Sequence, residues 1–248
     1  MTERTWRDSK NLADHLTYLC TKRGLGDRKV QLLCCAFCRR QERHISAAGI
    51  RHLLTRMESF ADREVTRDEL RETLHHTQSR SNVGQNGYDQ DNPASTIHYS
   101  VLQFAKWLLL NPEAPDNWDH EDDLPDDWFE EPRIPYPLRI AQMISDAIDS
   151  DVEIEDKWSY ERDQQLLLLR DIFGNPFRPV EIDPRWLTST VADLSRFIYE
   201  ERAFDKMPIL ADALTDAGCD SEEMLNHCRA DGPHVRGCWV VDLLLGKT

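Results

Sequence analysis

Apolar residues recur at intervals of three and four along most of this chain, which is the spacing of an amphipathic helix. The clearest stripe contains Val30, Leu33, Cys34, Phe37 and Cys38. Similar stripes follow in the rest of the chain, whereas the period-two alternation of β-strands is scarce. The pattern predicts an all-α protein, an irregular multi-helix bundle of about ten helices.

Polar residues and turn formers at the edges of these stripes predict where the helices begin and end. The predicted N-terminal caps include Ser9, Asp27, Thr190 and Ser221. Thr66 and Glu69 have the spacing of a capping box, in which each side chain bonds the backbone of the other. Gly174 is expected to follow a helix end, because Asn175-Pro176 prevents the helix from resuming.

Two stretches interrupt the helical pattern. Residues 79–93 are rich in Gly, Asn, Asp and Gln, which is typical of a mobile loop. Residues 111–137 hold six of the twelve prolines and ten acidic residues, which is typical of a linker or an extended arm. We therefore expect an N-terminal basic helical region over 1–110, an acidic linker over 111–137 and a C-terminal helical region over 138–248, with the two helical halves packed separately.

The net charge of −15 is unevenly distributed along the 248 residues. Residues 1–80 carry 16 Lys and Arg against 11 Asp and Glu, and the remaining residues carry 14 against 34. A field this negative repels phosphates, which argues against nucleic-acid binding by the whole protein and leaves it conceivable only for the N-terminal third.

The cysteine count and the absence of long apolar runs indicate the compartment. Seven cysteines, two of them adjacent at Cys34 and Cys35, cannot form a complete intramolecular disulfide framework, which favours a reducing environment. The apolar runs fall far short of the roughly 20 residues that cross a bilayer, and the N-terminus has no secretory pattern. We expect a cytoplasmic protein without a membrane segment.

Several longer motifs resemble one protein family. They are DRKVQLLCCAFCRR at 27–40, GNPFRP at 174–179, DPRWL at 183–187, RAFDKMPILADALTDAGC at 202–219 and HCRADGPHVRGCWVVDLLLGK at 227–247. The chain is similar to a large paralogous family of uncharacterised planctomycete bacterial proteins that carry these motifs. The resemblance covers both ends of the chain and implies a shared fold, without an activity, a cofactor or catalytic residues.

A cluster of thiols and imidazoles near the C-terminus is the candidate metal site. Its members are Cys219, His227, Cys228, His234 and Cys238. Thiolates and imidazoles are zinc ligands, and four of the five meet at one point if the Gly232-Pro233 turn folds back. The close Cys-x-x-Cys pair of many structural zinc sites is missing here, and free cysteine is among the most buried residue types, so packing is the alternative interpretation.

The acidic linker is the candidate surface for a protein partner, because its aromatic residues are costly to leave in water. The residues concerned are Trp118, Asp122, Asp123, Asp126, Asp127, Trp128 and Phe129. A basic surface suits such a segment, and that surface belongs either to a partner or to the protein's own N-terminal half.

A basic patch on the second and third helices is the candidate site for phosphate groups. It contains Arg28, Lys29, Arg39, Arg40 and Arg43. An ordinary solvated helix face and a dock for the acidic linker are the alternatives.

No nucleophile-base or nucleotide-binding motif occurs in the chain. The sequence therefore predicts a non-enzymatic interaction or regulatory module with an unknown protein partner and no cofactor. The alternatives are a zinc-binding protein that uses the C-terminal Cys/His cluster and a nucleic-acid-binding protein that uses the N-terminal helices.

Overall fold

A computed structural model describes residues 1–23, 27–42, 45, 47–80, 93–110, 139–141 and 157–247. Within these residues the secondary structure is helical, with no strand, which confirms the all-α prediction. None of the described helices combines the length and the apolarity that a bilayer span requires.

Eleven α-helices have described bounds, and residues 139–141 are also helical. The first six are α1 (Glu3–Asp8), α2 (Leu12–Arg23), α3 (Arg28–Arg40), α4 (Ala48–Ala61), α5 (Arg67–Arg80) and α6 (Pro93–Leu110). The others are α7 (Lys157–Phe173), α8 (Ser189–Glu201), α9 (Met207–Asp216), α10 (Glu222–Arg229) and α11 (Trp239–Leu245). Short 3-10 turns lie at Pro184–Trp186 and Phe204–Lys206.

The chain divides into two compact units. The N-terminal unit comprises Met1 and Lys10–Gln165, and the C-terminal unit comprises Thr2–Ser9 and Leu166–Thr248. The boundary between Gln165 and Leu166 falls inside α7, and α1 belongs to the C-terminal unit. The loop predicted over 79–93 is wrong at its edges, because residues 79 and 80 end α5 and residue 93 begins α6. The rest of it, 81–92, and the predicted linker at 111–137 lie outside the described residues.

The N-terminal unit is built around α4, which packs against α3, α5 and α6. The apolar stripes predicted from the sequence face its interior, and their fully buried members include Leu33, Phe37, Ile50, Leu53, Met57, Leu70, Val101 and Phe104. Cys34, Cys35 and Cys38 are buried in the same stripe of α3. Burial raises the pKa of the Cys38 thiol to about 12, so these cysteines serve as packing groups.

Two of the predicted caps are confirmed in this unit and one is wrong. Asp27 accepts hydrogen bonds from the backbone N–H groups of Lys29 and Val30, and Thr66 and Glu69 form the expected capping box. Ser9 instead ends α1, and Asn11 caps α2 by accepting from the N–H of Ala13 at 3.1 Å. Asn11 is adjacent to the first helical residue, and so its short side chain reaches that N–H.

The C-terminal unit has a separate apolar core formed by α8 to α11 and the turns between them. Its buried members include Trp186, Val191, Ile198, Tyr199, Met207, Leu210, Leu214, Met224, Cys228, Val240 and Val241. Ser221 caps α10, as predicted. Thr188 rather than Thr190 caps α8, because α8 begins at Ser189 and Thr188 accepts from the N–H of Val191.

A turn at the end of α7 joins α1 to this unit. Trp6 of α1 is 3% exposed, and its indole Nε1 donates to the carbonyl of Gly174 at 3.0 Å. Gly174 has a φ of +59°, which confirms the predicted helix end, and a Cβ added there would lie 3.0 Å from the ring of Trp239. The residue at position 174 is therefore restricted by backbone conformation and by space.

Three glycine-to-alanine variants separate these two restrictions. Gly218 has a φ of +82°, and a Cβ added there would meet no atom within 4 Å. We therefore expect Gly218→Ala to lower the free energy of unfolding by about 1 to 2 kcal/mol through backbone strain alone. Gly174→Ala adds the steric contact with Trp239, and we expect about 2 to 4 kcal/mol. Gly232→Ala is the control, with open space and no positive φ. Urea denaturation measures the order, and equal losses at 174 and 218 would contradict it.

Candidate metal centre

Four side chains of the C-terminal unit converge on one point. They are Asp171 in the last turn of α7, His227 in α10, His234 in the following loop, and Cys238, which precedes α11. Each offers one ligand atom, and the four atoms lie within 4.8 Å of one another. No other group of three or more potential metal ligands occurs in the described residues.

The shortest distances in this cluster centre on Asp171 and His227. Oδ1 of Asp171 lies 2.7 Å from Nδ1 of His234 and 3.1 Å from Nε2 of His227. The same Nε2 of His227 lies 3.2 Å from Sγ of Cys238. The side chains of Asp171 and His234 are 3% and 7% exposed, so the convergence is largely closed to solvent.

The local sequence explains how three of these side chains meet. Ser221 fixes the start of α10, and His227 lies in the last turn of this eight-residue helix. The chain then reverses through Gly232-Pro233, and Gly237, with a φ of +95°, leads into Cys238. This reversal brings residues 227, 234 and 238 together although they do not share a helix face.

The backbone orients the fourth group. The N–H of Val235 donates to Oδ2 of Asp171 at 2.9 Å, which leaves Oδ1 directed at the two imidazoles. A carboxylate held in this way presents one oxygen to the centre. Contacts of this kind around metal ligands fix their orientation and increase their affinity.

Aromatic contacts restrict the two imidazole rings. The ring of His227 lies 5.2 Å from the indole of Trp239 and 4.9 Å, edge to face, from the ring of His234. Nε2 of His234 is buried without a hydrogen-bond partner among the described residues. The orientation of His234 therefore depends on its Nδ1 and on the contact with His227.

Asp171 and Cys238 differ in their ionisation. Burial raises the pKa of Asp171, but the hydrogen bonds and the electrostatic attraction of His227 and His234 together outweigh burial, and the pKa is lowered overall. Burial, reinforced by the charge of Asp171, raises the pKa of Cys238 well above its ordinary value. The cluster therefore contains a carboxylate and, without a bound cation, a neutral thiol.

The geometry does not suit a Cys-His-Asp catalytic relay. In a relay one ring nitrogen takes the proton of the thiol while the other donates to the carboxylate. Here the single atom Nε2 of His227 faces both Sγ of Cys238 and Oδ1 of Asp171. One nitrogen holds one proton or one lone pair, so it cannot serve both partners at once.

A tetrahedral cation suits the same geometry. Bonds of about 2.0 to 2.3 Å to nitrogen, oxygen and sulfur place neighbouring ligand atoms about 3.3 to 3.6 Å apart around zinc. In the cluster three separations are 2.7, 3.1 and 3.2 Å, and all four atoms lie within 4.8 Å of one another. These three separations are shorter than the expected values, so an ion would require the ligand atoms to move apart by a few tenths of an ångström.

The remaining members of the sequence-predicted metal cluster lie elsewhere. Cys219 and Cys228 are buried in the apolar core of the C-terminal unit and do not belong to the convergent group. Burial raises the pKa of Cys228 to about 12 and also raises that of Cys219. These two thiols fit the packing interpretation.

Asp171 is the ligand that sequence reasoning missed. It lies three residues before the first residue of the GNPFRP motif and 56 residues before His227 in the chain. Local spacing does not connect residues that far apart. A polar residue on the buried side of the apolar stripe of α7 was the available signal, since isolated carboxylates are rarely buried without a partner.

The predicted basic patch is largely neutralised within the N-terminal unit. Arg28 pairs with Asp62 at 2.6 Å, and Arg40 donates from Nε to both carboxylate oxygens of Glu161. The Nε and Nη2 groups of Arg39 each donate to Glu58 at 2.8 Å. Lys29 is buried. Arg43 lies outside the described residues.

The predicted partner-binding residues of the acidic linker, from Trp118 to Phe129, also lie outside the described residues. No protein-family model matches this chain, and comparisons with curated proteins and with solved structures find no similar protein. The candidate site therefore rests on its own geometry.

Two glutamates that contact Arg39 provide a test of the internal ion pairs. The side chain of Glu58 is 3% exposed and that of Glu42 is 43% exposed. Glu58→Gln leaves Arg39 without its buried counter-charge, so we expect the free energy of unfolding to fall by about 3 kcal/mol. For Glu42→Gln we expect less than about 0.5 kcal/mol. Equal effects in urea denaturation would show that Arg39 is not held by Glu58.

Proposed function

We propose that this protein binds one zinc ion through Asp171, His227, His234 and Cys238, and that the ion has a structural role. The convergence of four ligand atoms within 4.8 Å of one another is the observation that carries the proposal. One carboxylate, two imidazoles and one thiolate are all groups that zinc accepts in tetrahedral coordination.

The number of protein ligands favours a structural ion over a catalytic one. Catalytic zinc sites keep a position open for water or substrate, whereas structural sites use four protein ligands. All four positions here come from the chain, and two of the side chains are less than a tenth exposed. The site therefore supports a non-enzymatic role, in agreement with the lack of catalytic motifs.

Zinc would connect parts of the C-terminal unit that the apolar core does not. That core is formed by residues between Trp186 and Leu244, whereas Asp171 lies in α7. A metal bound to Asp171 and to the segment 227–238 would fasten the end of α7 to this core. Because such a site does not exist in the unfolded chain, the binding free energy of the ion adds to the stability of the unit.

The proposal extends to the compartment and to the family resemblance. All seven cysteines are free, which supports a cytoplasmic, reducing location. Three of the proposed ligands belong to the HCRADGPHVRGCWVVDLLLGK motif. We propose that the planctomycete proteins with this motif share the zinc centre.

Zinc content after purification without chelator tests the proposal directly. We expect about one zinc per chain by mass spectrometry of the metal, because structural sites retain their ion through purification. Cys238→Ala and His234→Ala remove a ligand each and should weaken binding more than about a hundredfold. A wild-type protein with a negligible zinc content that also fails to take up added zinc contradicts the proposal.

The nonligand cysteines are matched controls for these variants. Cys219→Ala and Cys228→Ala remove buried thiols from the same unit and should keep about one zinc per chain, because neither sulfur belongs to the convergent group. Substitution with cobalt gives a second readout, since a thiolate bound to cobalt produces a charge-transfer absorption band. This band should persist in both controls and disappear in Cys238→Ala. Its loss in Cys228→Ala would show that the ligand set is wrong.

The raised pKa of Cys238 makes zinc binding depend on pH. The thiol must lose its proton to become a ligand, so protons compete with the ion at every pH below the thiol pKa. Between about pH 7.5 and 8.5, we expect the apparent affinity to rise by about tenfold for one proton released. Isothermal titration calorimetry in buffers of different ionisation enthalpy measures this release. An affinity that does not change across this range would mean that no thiol is deprotonated on binding.

A further inference from the structure

We infer that the metal centre controls the docking of α1, so that the N-terminal helix is released when the ion is removed. The inference rests on the proposed zinc binding. It concerns the turn between Arg170 and Asn175, which we name the α7 turn. Two of the proposed ligands, His227 and His234, contact Asp171 in this turn, and α1 contacts the turn through Trp6.

The α7 turn and the nearby Arg178 bind α1 through several polar contacts. Nη2 of Arg170 donates to the carbonyls of Arg7 at 3.0 Å and of Ser9 at 3.3 Å, beyond the last hydrogen bonds of the helix. The indole N–H of Trp6 donates to the carbonyl of Gly174. Glu3 accepts a hydrogen bond from Asn175 and pairs with Arg178. These contacts cover both ends of α1.

The same turn is connected to the metal centre by two short routes. Asp171, a proposed ligand, follows Arg170 directly in the chain. Gly174 packs against the ring of Trp239, which follows the proposed ligand Cys238 and also contacts His227. The position of the α7 turn therefore depends on residues 171 and 238, and α1 docks on the groups that these residues position.

A helix as short as α1 does not persist without such a dock. It has six residues, and isolated helices shorter than about 12 residues are marginal in water. Its capping box at Thr2 satisfies only the first turn. Release from the α7 turn would consequently unfold α1 and expose Trp6, which gives the switch a clear readout.

Hydrogen exchange with and without zinc is the test. The amides of Trp6 and Ser9 are bonded within α1, and Ile198 and Leu210 lie in the helices α8 and α9 of the apolar core. In full-length protein, removal of zinc by a chelator should speed exchange in the 2–9 peptide by about tenfold or more, because docking alone protects it. Loss of zinc lowers the stability of the whole unit, so the α8 and α9 peptides should exchange faster than before. Their rates should nevertheless stay far below those of an unfolded chain, which the 2–9 peptide should approach.

Each result has a defined meaning. If zinc is bound and the 2–9 peptide exchanges equally fast in both states, the switch is wrong and the zinc proposal stands. If all helices of the unit lose protection together, zinc acts as a folding ligand only and the switch is again wrong. If no zinc is bound in the first place, both proposals fail.

Thermodynamic reciprocity gives an independent test. If zinc strengthens the docking of α1, then loss of docking must weaken zinc binding by the same factor. We expect Trp6→Ala to keep about one zinc per chain but to bind it about fivefold or more weakly, within the usual range of such coupling. Arg4→Ala, which removes a side chain that is 90% exposed on the same helix, is the control and should bind zinc normally. An unchanged affinity in Trp6→Ala would overturn the switch.

Discussion

The C-terminal unit depends on the need to compensate one buried carboxylate. Asp171 is 3% exposed, and a charge in that position is unfavourable unless it is paired and hydrogen-bonded. Its donors come from a segment more than 50 residues later in the chain, namely the two imidazoles and the N–H of Val235. These contacts link the loop after α10 to Asp171, and the thiol of Cys238 lies at the same point. A polar requirement, rather than apolar packing, thus defines the candidate centre.

Buried carboxylates of the N-terminal unit are also compensated by polar partners, but here the partners are arginines and no candidate metal site results among the described residues. The guanidinium groups of Arg28, Arg39 and Arg40 each meet a carboxylate whose side chain is at most 3% exposed. Charges paired in this way are largely unavailable for phosphate groups, since binding a phosphate would leave a buried carboxylate unpaired. The charges of these three arginines therefore do not form a free cationic surface. Charge counts along a sequence do not show this difference, because it depends on which partners the fold brings close.

Prediction from sequence succeeded where the determining contact is local. The helical stripes, the capping of α3 by Asp27 and the capping box of α5 each depend on residues within one or two turns, and the structure contains them. The caps at Ser9 and Thr190 were placed wrongly by two residues, because neighbouring polar residues compete and only the backbone geometry selects one. Three of the four candidate metal ligands were in the predicted cluster, because residues 227, 234 and 238 lie close together in the sequence. Asp171 was missing for the opposite reason, as its partners are determined by tertiary structure.

The C-terminal unit combines the first residues of the chain with the last ones, so it cannot form until both segments have been synthesised. Residues 2–9 leave the ribosome before residues 166–248, yet both segments form one unit. A six-residue helix has little stability alone, so α1 stays unfolded until the α7 turn and the segment around Cys238 have formed. Closing such a long loop costs conformational entropy, which only a firm anchor at its end offsets. A metal bound between Asp171 and Cys238 would supply that anchor at the turn on which α1 docks.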